Sequence, residues 1–219
     1  MSLKPLNLWT LQGHAGSPNP WKVLMILEEL KVPYEPKLVD LSDLKKKPYE
    51  SINRNGRDLN TGITIWESGA ILEYMGDTYD KQHTISFTAG SKEYYESKQW
   101  LHYQVSGQGS YFGQAAWFTV YHPEKVPSAV ERHVNDIRRV SGVLNRSLQN
   151  KEYLVGGKYS YVDAVFVPWF EVAALFWSKE MVLENEFPRV NSWLNRIKAR
   201  PAIAKTIDDK AKATAAEGK

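Results

Sequence analysis

The sequence predicts two domains of different class: a small α/β domain followed by an all-helical bundle. Three observations carry this. Apolar and polar residues alternate in Leu6-Asn7-Leu8-Trp9-Thr10-Leu11, the period of a strand, and a second strand is read from Tyr34 to Leu41. Between these stretches Val23, Leu24, Ile26, Leu27 and Leu30 recur at helical spacing. Beyond residue 90 helical spacing takes over, as in the stripe Val130, Val134, Ile137, Leu144 and Leu148.

Each element follows in order. Gln12 to Asn19 is rich in Gly, Ser, Pro and Asn and reads as a loop. Pro20 stands at the start of the first helix, where a helix tolerates it. Strand, helix and strand make a βαβ unit. After Lys45-Lys46-Lys47-Pro48 comes the turn Asn53-Arg54-Asn55-Gly56, and Ile63-Thr64-Ile65-Trp66 reads as a short strand. Glu67-Ser68-Gly69 leads into a helix carrying Ile71, Leu72 and Met75. The composition shifts after Asp80, and Thr84 to Gly90 reads as a linker. Lys92 to about Phe118 reads as one long aromatic helix, interrupted by Gly107, Gly109 and Gly113. A helical glycine costs about 0.5–1 kcal/mol relative to alanine, so this cluster points to a kink or a close approach. Ser160-x-x-Asp163 before an apolar run resembles a capping box. Val190, Trp193, Leu194 and Ile197 give a last helix that ends near Pro201. The Ala-, Lys- and Asp-rich stretch from Lys205 is expected to be frayed or disordered. The expected domains are therefore residues 1–82 and 90–205, with a tail over 206–219.

Composition narrows the function. Lys and Arg number 28 against 25 Asp and Glu, a net charge of +3 that is too weak for a nucleic-acid protein. No apolar run reaches the roughly 18 residues of a membrane span, and Met1-Ser2-Leu3-Lys4-Pro5 has no apolar signal core. The absence of cysteine excludes a disulfide framework, a protein thiol nucleophile and thiolate metal sites. The histidines lack metal-ligand spacing, and no nucleophile elbow or phosphate-binding loop occurs. The expectation is a soluble cytoplasmic protein with no metal. Eight Trp, twelve Tyr and seven Phe make the chain 12% aromatic, which serves either core packing or a flat apolar site for an organic ligand.

Two corners could carry chemistry. Gly13-His14-Ala15-Gly16-Ser17-Pro18-Asn19 lies between the first strand and the first helix, where an open α/β fold binds ligands. A helix N-terminus there stabilises an anion such as a thiolate, to which Ser17 or Asn19 could donate a hydrogen bond. Both residues are also favoured helix caps. Glu67-Ser68-Gly69 forms the second corner. There Glu67 suits an ammonium group and Ser68 a carboxylate, or Ser68 simply caps the helix. The Lys45–Lys47 run is either a solvated face or a hold on a carboxylate. Tyr103, Gln104 and Tyr111 line the aromatic helix, where core packing is the competing role.

Ser17-Pro18-Asn19-x-x-Lys22-Val23, Asn53-x-Asn55-Gly56-Arg57 and Trp66-Glu67-Ser68-Gly69-Ala70-Ile71 resemble a glutathione transferase. The helical half agrees in Gln104-x-Ser106-Gly107, Gly113-Gln114-Ala115, Ser128-Ala129-Val130-Glu131-Arg132 and Asp163-Ala164-x-Phe166-Val167-Pro168-Trp169. The set is similar to the fungal class that includes the yeast prion nitrogen regulator, and it covers about residues 5–204. The resemblance implies a thioredoxin-like N-terminal domain, an all-α C-terminal domain, a homodimer and glutathione as cosubstrate. It implies that Glu67 and Ser68 hold the γ-glutamyl end. Asn19 lies near the sulfur, with Ser17 as second candidate. Lys46 or a neighbouring lysine, with Arg57, marks the rest of the glutathione site. The second substrate is expected among the first loop, the Tyr103–Phe118 helix and the aromatics around Trp169 and Trp177. The implied reaction is thiolate attack on a hydrophobic electrophile, such as a specialised metabolite. The alternatives are glutathione-dependent cis/trans isomerisation and a non-catalytic binding or regulatory role.

One departure stands out. The family follows Asn-Gly-Arg with Val-Pro and a strand, whereas here Arg57 runs directly into Asp58-Leu59-Asn60-Thr61-Gly62. The missing segment normally pairs with the glutathione backbone. Three readings stay open: weaker binding, a strand rebuilt from residues 57–62, or a mis-spliced reading of the gene.

Overall fold

The computed structural model describes residues 6–11, 17–39, 43, 45–47, 65–179 and 181–217. The elements in order are β1 (Leu6–Leu11), α1 (Pro18–Leu30), β2 (Tyr34–Val39), α2 (Ser68–Tyr79) and α3 (Lys92–His102). A π-helical turn (Tyr103–Gly109), α4 (Ser110–Ala116) and a second π turn (Trp117–Tyr121) follow. Then come α5 (Pro127–Ser147), α6 (Tyr161–Ala164), α7 (Val167–Trp177), α8 (Leu183–Glu186), α9 (Pro188–Lys198) and α10 (Pro201–Glu217). The chain divides into two compact units, Met1–Thr84 with Arg200–Lys219, and Ile85–Ala199.

In the first unit β1 and β2 pair in parallel, with Leu6 opposite Tyr34 and Leu11 opposite Val39, and α1 connects them. This is the expected βαβ unit. Pro18 and Pro20 fall in the first turn of α1, where the missing N–H groups have no intrahelical partner to lose. Lys31 ends the helix in the left-handed conformation (φ 53°), and its N–H returns to Glu28 and Leu27. Leu6, Leu8, Met25, Ile26, Leu27, Leu72 and Met75 are buried in this unit. Ile65 and Trp66, expected to close a short strand, lie outside any strand.

The C-terminal stretch corrects an expectation. Residues 206–217 are not a disordered tail but the body of α10, which packs on α1 in the first unit. Ile203 is fully buried and Thr206 nearly so. Three polar contacts fasten the pair, and a fourth ties β2 to the same Glu28 carboxylate. Arg200 donates from Nε to Glu29 Oε1 (2.7 Å) and from Nη2 to Oε2 (2.9 Å). Lys205 Nζ donates to Glu28 Oε1 at 2.7 Å, and the Tyr34 hydroxyl donates to the same oxygen at 3.0 Å. Burial, then the Glu28 carboxylate, pushes the Tyr34 phenol up to about 12, so it remains a donor through neutral pH. Alanine-lysine composition hid this role, because the contacts come from residues about 170 positions away. Arg200→Ala should lower stability by about 1–2 kcal/mol, read by denaturant titration, since Glu29 is left mostly buried without its bidentate partner.

The second unit is helical. Its buried residues include Phe112, Ile137, Leu144, Phe166, Phe170, Trp193 and Ile197. The expected single helix over 92–118 is instead two α segments and two π turns. Asp163 organises the junction of loop, α6 and α9. It is fully buried and accepts from Leu154 N (3.0 Å), Ser160 N (2.9 Å), Ser160 Oγ (3.0 Å) and Trp193 Nε1 (2.9 Å). The capping box read from the sequence is present at Ser160 and Asp163. No helix among the described residues is long and apolar enough to cross a membrane.

Candidate functional site

The first unit presents two helix starts. Ser17 occupies the N-cap position of α1 with extended backbone (φ −64°, ψ 122°), and its side chain makes no capping bond. Asn19 is half-buried in the first turn. That turn carries no acidic residue, so the partial positive charge of the helix start has no side-chain counter-charge within it.

At α2 the expected assignment shifts by one residue. Glu67, not Ser68, holds the N-cap position, and Ser68 is the first helical residue. Glu67 has φ 72° and ψ 120°, in a region that a side chain with a Cβ rarely enters. Such strain costs about 1–3 kcal/mol and persists where surrounding structure enforces it. Here the Glu67 carbonyl accepts the first helical bond, from Ile71 N at 3.0 Å. Ser68 is 7% exposed while Glu67 is exposed. The corner thus displays an exposed Glu67 beside a buried Ser68 at a helix start without a side-chain cap.

Lys46 is exposed and donates to Asp43 Oδ1 at 2.9 Å, and Lys45 and Lys47 are exposed beside it. Arg57, His14 and the segment after Arg57 lie outside the described residues.

In the second unit the five expected substrate residues have different surroundings. Gln104 is fully buried, and its Nε2 donates to Gln108 Oε1 at 3.0 Å. Gln108 Nε2 in turn donates to the Phe166 carbonyl at 3.0 Å, where α6 passes into α7. Tyr103 packs edge-on against Trp100 at 5.6 Å, and its ring lies beside Gly107. Among the described residues the buried Tyr103 hydroxyl has no hydrogen-bond partner; burial raises its pKa, opposed by Arg139 and Arg146. Arg139 also lies over the Tyr111 ring at 4.9 Å. Tyr103 and Tyr111 therefore keep company with the arginines of α5. Trp169 lies instead against Gly109 and Gly113. Trp177 is buried, and its Nε1 has no hydrogen-bond partner among the described residues.

Comparison with known proteins now decides the family. Residues 110–201 match the model of the glutathione S-transferase C-terminal domain. The glutathione S-transferase-like protein tpcF of Aspergillus fumigatus is 45% identical over 208 residues, 89% of this chain and 92% of the relative. The chain belongs to the glutathione S-transferase family. Among solved structures of that family, the transferase URE2P6 of Phanerochaete chrysosporium, in complex with oxidised glutathione, superimposes with a TM-score of 0.90. It is 45% identical, with 96% of this chain and 98% of that one covered. Ure2p5 of the same fungus, cocrystallised with 1-(S-glutathionyl)-2,4-dinitrobenzene, gives 0.86 at 37% identity, covering 97% of each. These neighbours place the chain on the transferase fold, a thioredoxin-like domain followed by a helical one.

Within this glutathione S-transferase fold, sequence reasoning found both helix starts but missed the Gln104–Gln108 ladder and the π turns. The signal available was the pair of glutamines four residues apart inside an apolar stretch. A buried amide needs partners, and two amides at that spacing supply one another.

Proposed function

We propose that the chain binds glutathione and activates its thiol for attack on a hydrophobic electrophile, working as a homodimer. The observation that carries this is the strained Glu67 corner beside Ser68, held at φ 72° with its carboxylate exposed. Relatives crystallised with oxidised glutathione and with an aryl glutathione conjugate support it.

In this reading Glu67 takes the γ-glutamyl ammonium, and Ser68 takes its carboxylate through the hydroxyl and the first N–H groups of α2. Lys46 and Arg57 serve the glycyl end. Asn19 donates a hydrogen bond to the sulfur at the start of α1. A donor and a helix N-terminus both favour the anion, so the thiol pKa falls and its proton leaves to solvent. The thiolate forms a carbon–sulfur bond, and the leaving group departs with its electron pair, or an activated double bond takes up the proton. The aromatic residues of the helical unit hold the electrophile.

Calorimetric titration with reduced glutathione tests the binding step; no heat from folded protein would overturn the reading. Asn19→Ala should lower kcat about tenfold, the loss of one charge-assisted hydrogen bond of roughly 1.4 kcal/mol, with the thermal midpoint unchanged. Unchanged turnover removes Asn19 from the mechanism. Thiol consumption separates conjugation from isomerisation, since glutathione is regenerated in the latter. Fast turnover of one electrophile and little of generic ones would mark a dedicated tailoring enzyme. Similar rates on many would mark detoxification.

A further inference from the structure

We infer that the second unit carries a binding site for a small phosphate monoester, in a groove between the turn after α5 and the start of α9. The groove lies wholly in the second unit, so its occupancy does not depend on the glutathione reading. The helical period of α9 builds one wall. Val190, Trp193, Leu194 and Ile197 are buried, which leaves Arg189, Ser192 and Arg196, at i, i+3 and i+7, on one outward face. The turn after α5 builds the other. Lys151 N donates to the Leu148 carbonyl at 3.1 Å, and Asn150 takes the left-handed conformation (φ 58°) that turns the chain. Together they bound a groove of about 400 Å³, within the range of small-molecule sites, which Lys151, Glu152, Arg189, Ser192 and Arg196 line.

Charge selects the ligand. Lys151, Arg189 and Arg196 stand against the single carboxylate of Glu152, so the lining holds two positive charges in excess. Farther along α5 and α9 the cations have partners: Arg138 pairs with Glu186 at 3.1 Å, and Lys198 with Glu171 at 3.2 Å. The side chains of Lys151 and Arg189 make no hydrogen bond or ion pair among the described residues. Arg196 has a neutral acceptor. Its Nη1 donates to the Glu152 carbonyl at 2.7 Å, and its guanidinium lies over the Tyr153 ring at 5.6 Å. Those contacts hold the planar fork in place and leave its charge uncompensated. Like charges around one concavity repel, a cost that no carboxylate pairing with these three cations offsets among the described residues. A bound dianion offsets it. A phosphate monoester carries about −1.5 to −2 charges at neutral pH and presents three acceptor oxygens. Guanidinium and ammonium donors, with the Ser192 hydroxyl, match those oxygens through charge-assisted hydrogen bonds. The Glu152 carboxylate is left for the organic part of the ligand, where it accepts from a hydroxyl and repels a second anion.

The test is calorimetric titration of the full chain at low salt with glucose 6-phosphate, inorganic phosphate and glucose. Glucose 6-phosphate should bind with a Kd of about 1 mM or below, inorganic phosphate roughly threefold to tenfold more weakly, and glucose not measurably. Arg189→Gln and Lys151→Gln each remove one charge from an exposed side chain, so the fold persists. Each should weaken glucose 6-phosphate about fivefold to tenfold, and the double variant more than about 30-fold. Without ligand, the thermal midpoint of each should stay or rise, because a repulsion is relieved; a merely structural role would lower it. Glu152→Gln should bring the two phosphates to similar affinities. No binding of either phosphate, or binding that survives the double variant, overturns the inference. Equal affinity for both phosphates in the unaltered chain overturns the monoester assignment. Reduced glutathione should bind the double variant as it binds the unaltered chain. Its loss there would assign the groove to glutathione and also overturn the inference.

Discussion

Asp163→Ala should destabilise the helical unit by about 3–5 kcal/mol, measured as a shift in the denaturant midpoint with an unchanged slope. The carboxylate accepts four hydrogen bonds in a site with no solvent exposure. Truncation leaves the Leu154 and Ser160 N–H groups and the Trp193 indole N–H buried without their acceptor. An unsatisfied buried donor costs about 1–3 kcal/mol, but the donors share one network, so their costs do not add in full. Burial pushes the Asp163 carboxyl upward, and the four donors pull it back. Asp163→Asn separates shape from acceptor number. Its amide oxygen can still serve Leu154 and Trp193, while its NH2 group faces the Ser160 N–H donor to donor. About half the loss should remain. A loss below 1 kcal/mol for Asp163→Ala would show that the network adds nothing that water cannot replace.

The two-class organisation was legible because period is local. A strand period, then a helical run with Pro at its head, is enough to specify β1, α1 and β2, and the structure places all three within two residues of their expected ends. Ser160 and Asp163 were legible for the same reason, since a capping box is written within four residues. What was not legible depended on distant partners. The C-terminal stretch looks unstructured by composition, yet Glu28 and Glu29 of α1 hold Lys205 and Arg200 of the α10 segment. Tyr103 and Tyr111 stand on one aromatic stretch and Trp169 lies far downstream, yet Trp169 lies against the glycines of that stretch while the arginines of α5 lie beside the two tyrosines. Helical spacing alone could not show these partners, because the π turn over Tyr103–Gly109 shifts the register on which such spacing relies. At the Glu67–Ser68 corner, residue types were readable while backbone state was not. Nothing in Trp66-Glu67-Ser68 announces a positive φ at Glu67 rather than an ordinary serine cap.

That backbone state makes Glu67 the position whose substitution says most about function. Glu67→Gln should weaken glutathione binding about 10- to 50-fold, the loss of a charge-assisted contact of roughly 1.5–2.5 kcal/mol to the γ-glutamyl ammonium. The thermal midpoint should move little, because the side chain is exposed. Glu67→Gly removes the same charge but also the Cβ that makes φ 72° unfavourable. It should therefore lose affinity at least as strongly as Glu67→Gln. Its folding stability should change by less than about 1 kcal/mol, since relief of strain offsets the greater chain entropy that glycine loses on folding. The comparison assigns cause. If both variants lose affinity alike, the carboxylate is what binds, and the strained backbone serves only to aim it. If Glu67→Gly loses far more, the held backbone also positions the first N–H groups of α2 on the ligand carboxylate. Wild-type affinity in Glu67→Gln would remove the carboxylate from the site and leave Ser68 and the start of α2 as the only support for that end of glutathione.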